Sequence, residues 1–582
     1  MRRAALLLLP LLPALIAAAP VDWNARFKDV YSAEYQWRQT SFAAPQGEGQ
    51  DRIMSPHLAD VSPAAQATRT AMWTKVEAQL AAIPRDALSA DNQINFAVYK
   101  GQIDALLAEQ RFMEWQKPAN SDSSFWGDLA GFDDKPLRSE QEYRNYLSEL
   151  SEVPRYFDQQ IANMKAGEAR GFTPPQVTLE GRDQSIAMVA QARSAEDTGF
   201  WAPFKTMPAS IPAAKQASLR AEARKAIMAS VVPSYAKLLT YWRGDYVPHA
   251  NPVLAAEKQP DGVAYYKSKI AEFTTLDLTP DQIHAIGLRE VASIHAEMLG
   301  VMKQVGFTGD FPAFLAFLRS DPRFYAKTPD ELLKDAAWIA KRFDGKSATW
   351  FGHLPRKRFA IVPVPPAIAP FYTAGRGGDG IYLVNTFDLP SRSLYQLTAL
   401  TLHESAPGHA FQIPLAAEHK DQPAFRSAGY ISAYGEGWAL YCERLGDEMG
   451  MYETLYDRFG MLSYQMWRAA RLVVDTGIHH DGWTRAQAVA FLHDNTALSD
   501  HEIATEVDRY ISWPGQALSY YLGEKTIRDD RARAEKALGA KFNIRAFHDA
   551  LLELGSVPMS EVDRMTDRFI ASGGKGPYPD EE

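Results

Sequence analysis

The sequence predicts a mainly α-helical protein that carries one small β-sheet, and three observations lead there. Apolar residues recur at three- and four-residue steps along most of the chain, the period of a helix with one buried stripe. Helix-start chemistry recurs with them: Thr279-Pro280 places a capping hydroxyl before a proline suited to the first helical position, and Thr328 to Glu331 forms a capping box. Only two short β-branched runs, 358–364 and 380–386, bounded by Pro or Gly, read as strands.

At 582 residues, with 46% hydrophobic and 23% charged side chains, the chain is long enough for several layers of core. A net charge of -9 and the lack of any Lys/Arg run exclude a phosphate-tracking face, so nucleic acid is not an expected partner. The single cysteine, Cys442, rules out an internal disulfide and reads as a small buried hydrophobe.

Along the chain, residues 1–19 carry two arginines, a short apolar run broken by Pro10 and Pro13, and then small residues. That is the layout of a cleaved secretory leader, with a retained anchor as the alternative. No later stretch is long and apolar enough to span a bilayer, so the expectation is a periplasmic or secreted protein with no stable membrane insertion after leader cleavage. Residues 20–255 read as an N-terminal helical lobe, with periodic segments at 73–84, 92–112 and 214–242 and a Pro/Gly break at 166–175. Residues 256–582 read as a second lobe that opens with the helix after Thr279, for which Gly306 suits the exit. The Gly-rich stretch 374–380 between the two strands lacks the Gly-Lys-Ser/Thr of a phosphate loop and reads as a substrate-facing loop or a plain hairpin connection.

The chemistry gathers at LHESAPGHAFQ, 402–412. A helix starting near Ser391 or Ser393 would be apolar nearly all round, so His403 and Glu404 on it need partners, and a cation would supply one. In the His-Glu-x-x-His zinc motif the histidines stand four apart on one helix face. Here His403 and His409 are six apart, which on a regular helix puts them about 120° around and about 9 Å along. Pro407 must end or deform the helix, and Gly408 lets the backbone turn. A third ligand is expected downstream: Glu436 lies 27 residues after His409, and Glu443 lies seven further on, nearly eclipsed on a helix. Glu436 is the expected ligand and Glu443 its supporting carboxylate, with the reverse assignment open.

HESAPGH, EGWALYCERLG, RLVVDTGIHHDGWT (471–484) and VDRYISWPGQALSYYLGEKTI (507–527) together resemble the bacterial domain-of-unknown-function family 885 over nearly all of the mature chain. That family looks like a distant relative of the gluzincin zinc peptidases, among them neurolysin-like oligopeptidases and angiotensin-converting enzyme. The resemblance implies a two-lobed helical zincin-like fold with a deep central cleft and a small sheet beside the active-site helix. It also implies zinc on His403, His409 and a downstream glutamate, a departure from the peptidase pattern being the long His-His spacing. The Arg509-Tyr510 pair is similar to one that supplies a tyrosine to the oxyanion in angiotensin-converting enzyme.

The expected function is therefore an exported zinc metallopeptidase acting on peptides. Glu404 is the general base, Tyr510 or Tyr520 steadies the oxyanion, and Arg471, His479, Arg509 and Tyr382 contact the substrate. The strand at 380–386 would align an extended peptide by backbone pairing. The alternatives are a peptide-binding protein that keeps the fold without hydrolysis, or a zinc hydrolase acting on another amide or an ester.

Overall fold

A computed structural model describes residues 21–44, 54–121, 123–130, 137–366 and 369–578; the expected leader lies outside the described residues. The protein is mainly helical with a single three-stranded sheet among the described residues. Helices α1 (Trp23–Ser41), α2 (Pro63–Ala81), α3 (Ala90–Phe112) and α4 (Glu140–Ala169) each start behind a residue whose side chain accepts a backbone N–H: Asp22, Ser62, Ser89 and Ser139. The later half holds α5 (Gly262–Thr274), α6 (Pro280–Gln304), α7 (Pro329–Asp344), α8 (Leu394–Glu404), α9 (His409–Glu418), α10 (Ser432–Glu448), α11 (Leu455–His479), α12 (Asp500–Ser512) and α13 (Ser519–Leu538). Thr279 caps α6 in a full capping box with Gln282, and Gly306 exits it with φ +74°.

The apolar side chains divide into three cores, and the division does not fall at the expected boundary near residue 255. The buried side chains of one core all lie within residues 119–250, Trp126, Phe157 and Tyr235 among them, with Met54 and Leu58 packed against its edge. A second joins Phe27, Trp73 and Tyr99 of the first three helices to Trp438, Phe547 and Phe569, so the N-terminal helices share a core with the C-terminal ones. The third is centred on α6 and α11. Periodicity reveals which face of a helix is buried but not its partner, and only the folded chain shows this long-range pairing. From Phe459 to His479, every α11 residue except Trp467 is buried, as expected of a helix that runs through the interior. Cys442 is buried, and burial holds its thiol well above the ordinary range.

Helices α10 and α13 cross where glycine meets glycine. A Cβ on Gly523 would stand 1.9 Å from the Ala433 carbonyl oxygen, and one on Gly437 would stand 2.5 Å from the Gly523 carbonyl carbon. Gly523→Ala is expected to cost about 3 kcal/mol by forcing these backbones apart; a urea midpoint equal to wild type would show that the crossing is looser than this.

Strands β1 (Ala360–Pro363), β2 (Gly375–Gly378) and β3 (Ile381–Val384) lie in the order β1-β3-β2, with β1 parallel and β2 antiparallel to β3. Two expectations change here. The Gly-rich stretch is neither a free loop nor a simple connection but contains the edge strand β2. Glycine's poor strand propensity hid it. The strand expected to receive substrate, β3, is central and has both edges paired, so a free edge exists only on β1 or β2. No helix among the described residues is long and apolar enough to cross a membrane.

Candidate metal centre

Helix α8 is buried from Tyr395 to His403, and Glu404 is its last residue. The chain then turns through Ser405 to Gly408, with a cis Ala406–Pro407 peptide, and α9 starts at His409. The helix therefore stops at the proline segment and a second one begins. The turn is held by the Gly408 N–H on the Leu402 carbonyl (3.0 Å) and by the Trp438 indole N–H on the Pro407 carbonyl (2.8 Å). Gly408 is required sterically, because a Cβ there would lie 1.8 Å from the His403 carbonyl oxygen.

This break brings the two imidazoles together across the six-residue spacing, their ring centroids 5.0 Å apart and their planes at 87°. Glu436 comes in from α10, its Oε2 standing 3.4 Å from His403 Nε2 and 3.4 Å from His409 Nε2. One ligand atom from each of the three residues lies within 4.8 Å of the others. Tetrahedral zinc with bonds of about 2.0–2.1 Å spaces its ligand atoms about 3.3 Å apart, so the donor set and the two nitrogen-to-carboxylate separations fit a zinc ion.

Seven residues beyond Glu436, Glu443 meets the other edge of the same imidazole: its Oε1 is 2.8 Å from His403 Nδ1. With Nδ1 donating to Glu443, Nε2 is the nitrogen that faces Glu436; it carries a proton in the imidazolium form and would offer a lone pair to a cation that displaced that proton. Glu443 is fully buried, and its other near charge is the Arg468 guanidinium at 3.7 Å. Burial opposes charge on His403, yet the hydrogen bonds to Glu436 and Glu443 outweigh it and push the imidazole up to about 10. Burial likewise works against the Glu436 carboxylate, but the adjoining His409 and His403 hold it well below the usual range. The pocket is thus built to stabilise positive charge. His409 Nδ1, in contrast, is buried without a hydrogen-bond partner among the described residues. If a metal ion uses this centre, Glu443→Gln is expected to weaken its affinity about 10–100-fold by loosening the hold on His403, measured by competition with a zinc chelator; an unchanged affinity would reduce Glu443 to a packing role.

Glu404 is oriented from the sheet, its Oε2 accepting the Gly377 N–H of β2 at 2.6 Å. A Cβ on Gly377 would lie 1.7 Å from the Glu404 carbonyl oxygen, so only glycine lets β2 approach this closely. The Tyr430 hydroxyl donates to Glu436 Oε1 at 3.1 Å, and Tyr430 is itself 52% exposed.

The structure brings together His403, Glu404, His409, Glu436 and Glu443, and it places most of the other candidates elsewhere. Tyr382 is fully buried with its hydroxyl 3.3 Å from Thr401 Oγ1, a core tyrosine and not a substrate contact. His479 has both ring nitrogens on backbone groups, Nδ1 on the Ala256 N–H (3.2 Å) and Nε2 on the Tyr510 carbonyl (2.9 Å). Burial keeps it neutral, pulled down to about 4, so it braces the fold instead of gripping a substrate. Arg471 is 2% exposed and pairs with Glu506 (2.9 Å) and the Tyr510 hydroxyl (2.9 Å). Tyr510 is itself 1% exposed and its hydroxyl oxygen accepts a second N–H from Trp467, so the group sits inside the packed core and not on an accessible surface where the oxyanion role expected of it could be met. Arg509 stays partly exposed and donates to the hydroxyl of Tyr520, itself 7% exposed, at 3.2 Å.

Sequence reasoning missed Gly377, Tyr430, Trp438 and Arg468. The glycine cluster at 374–380 was a visible signal for the first, whereas nothing in spacing marks the others. A second His/carboxylate group, Glu168 with Asp245 and His249, sits at an exposed edge and is explained by ordinary ion pairing.

The sequence model of a family described as bacterial protein of unknown function (DUF885) matches residues 42–565. A comparison with curated proteins gives no match. Among solved structures, a candidate lipoprotein from Colwellia psychrerythraea is similar at 27% identity and TM-score 0.86, covering 94% of this chain and 99% of that one. A candidate lipoprotein of unknown function from Shewanella oneidensis is similar in fold, with 18% identity, TM-score 0.66, and coverage of 93% of this chain and 98% of that one.

Proposed function

This chain belongs to the DUF885 family of bacterial proteins, and we propose that it is an exported zinc-dependent metallopeptidase that hydrolyses peptide bonds. The observation that carries the reading is the meeting of His403, His409 and Glu436 at zinc-ligand separations beside a carboxylate, Glu404, held by a backbone N–H. The same arrangement, two histidines on a broken helix and a glutamate from the next long one, supports kinship with the gluzincin peptidases. The separate core within residues 119–250 is assigned to one lobe of the two-lobed fold with a central cleft that this reading proposes. The leader-like residues 1–19 and the likeness to candidate lipoproteins support an envelope or secreted location.

When bound, zinc supplies Lewis acidity, which makes water a nucleophile near neutral pH and polarises a carbonyl. The rest is the work of this chain's residues. Glu404 takes the proton that water loses as its oxygen bonds to the peptide carbonyl carbon, and returns that proton to the departing amine as the C–N bond breaks. The Gly377 N–H fixes the carboxylate's orientation for both transfers. Tyr430 and Tyr520 replace Tyr510 as the hydroxyl donors proposed for the oxyanion, because Tyr430 is exposed beside Glu436 and Tyr520 is reached by Arg509. Arg509 is proposed to hold a peptide carbonyl or carboxylate.

Digestion of a peptide library by the purified chain tests the reading. Cleavage should disappear with a zinc chelator and return on adding one equivalent of zinc; cleavage indifferent to the chelator would overturn it.

A further inference from the structure

Away from the His-Glu centre, a cavity of about 200 Å³ lies between residues 114–120, 254–273 and 511–514, and none of His403, Glu404, His409 or Glu436 lines it. Three polar groups on its wall lack the partners their chemistry calls for. Gln259 is 7% exposed, and its side-chain carbonyl has no hydrogen-bond partner among the described residues. The Trp513 indole N–H is buried without one, although its ring stacks on Phe273. The Lys117 ammonium reaches the Tyr265 hydroxyl at 2.9 Å and the faces of Phe172 and Tyr265, with no carboxylate at ion-pair distance among the described residues. Burial pulls it down to about 8, which leaves it mostly protonated at neutral pH. The neighbouring Lys269 pairs with both Glu114 (2.6 Å) and Glu272 (2.7 Å), and Glu114, which lines this cavity too, also favours the charge on Lys117; the two carboxylates and Trp513 border a larger cavity of about 680 Å³ as well.

Leaving a buried donor or acceptor unmade is costly, and a wall with two donors and one acceptor so placed specifies its complement. The donors ask for a carboxylate and the acceptor asks for an N–H. The volume corresponds to roughly seven waters of liquid, enough for one acylated amino-acid residue. We propose that this cavity binds the carboxyl-terminal residue of a peptide, its carboxylate on Lys117 and the Trp513 N–H and its amide N–H on the Gln259 carbonyl. Tyr265 and Phe273 offer the side chain an aromatic wall. The site stands apart from the metal centre and holds for a peptidase and for a plain peptide binder alike.

Calorimetric titration of the full chain with N-acetylalanine, its carboxamide and its ester isostere, O-acetyl-lactate, tests this. N-acetylalanine should bind once per chain, with each analogue at least about tenfold weaker for want of one hydrogen-bonded group. Lys117→Gln should erase the preference for the carboxylate, Gln259→Leu the preference for amide over ester, and Trp513→Phe should weaken binding while keeping the ring stack. An N-blocked tetrapeptide with a free carboxyl end should compete, and its C-terminal amide should not. His403→Ala should leave all of this unchanged, which separates the site from the metal centre. The proposal is overturned if N-acetylalanine does not bind, if the tetrapeptide fails to compete, or if Lys117→Gln and Trp513→Phe bind like wild type.

Discussion

Glu404→Gln is expected to lower peptide turnover by about a thousandfold while zinc content stays near one ion per chain. The amide keeps the size of the carboxylate but has no basic oxygen to take a proton from water, and general-base assistance is worth about 10²–10⁴ in rate. Zinc should be retained because Glu404 is not among the groups that converge on the ligand position; its carboxylate faces Gly377 on β2. The measurement is a steady-state comparison on a cleavable peptide with metal analysis of the same samples. Full turnover in the variant would remove Glu404 from proton transfer, and loss of zinc with turnover would reassign it as a ligand.

The second large effect is expected at the ligand itself. Glu436→Gln should weaken zinc binding well over a hundredfold, since even the supporting partners of metal ligands are worth about 10–100-fold. Two further consequences follow from the geometry. Wild type should be stabilised by zinc, by about 2.7 kcal/mol when free zinc is 100 times the dissociation constant, and the variant should show no such shift in its thermal midpoint. Removing Glu436 also strips His403 and His409 of their shared carboxylate, so the metal-free variant should be no more stable than metal-free wild type. A zinc-dependent midpoint shift that survives the substitution would move the ion elsewhere.

How much of this was readable beforehand depends on the range over which the information acts. The break at Pro407 and Gly408 is local chemistry, and the sequence reading of a helix that cannot continue past it agrees with the stop at Glu404 and the restart at His409. The seven-residue step from Glu436 to Glu443 is helix geometry, and the structure does direct both carboxylates at His403. The tyrosines fared differently. Tyr510 and Tyr382 are ordinary helix or strand residues in sequence, and only the surrounding side chains reveal that both sit in the packed core, the first with its hydroxyl oxygen accepting from Arg471 and Trp467. His479, expected to contact the substrate, serves two backbone groups instead. The strand at Gly375–Gly378 was hidden because glycine disfavours strands, while at Gly377 only glycine allows the close approach to Glu404. Likewise, α1–α3 share a core with the C-terminal helices through contacts hundreds of residues apart, which no local pattern encodes.

The most direct test is X-ray absorption at the zinc edge on protein loaded with one equivalent of the metal. The account predicts a first shell of two imidazole nitrogens with carboxylate oxygen at about 2.0–2.1 Å, and loss of one imidazole contribution in His409→Ala. Failure to retain zinc, or a spectrum without imidazole that is unchanged by His409→Ala, would contradict it.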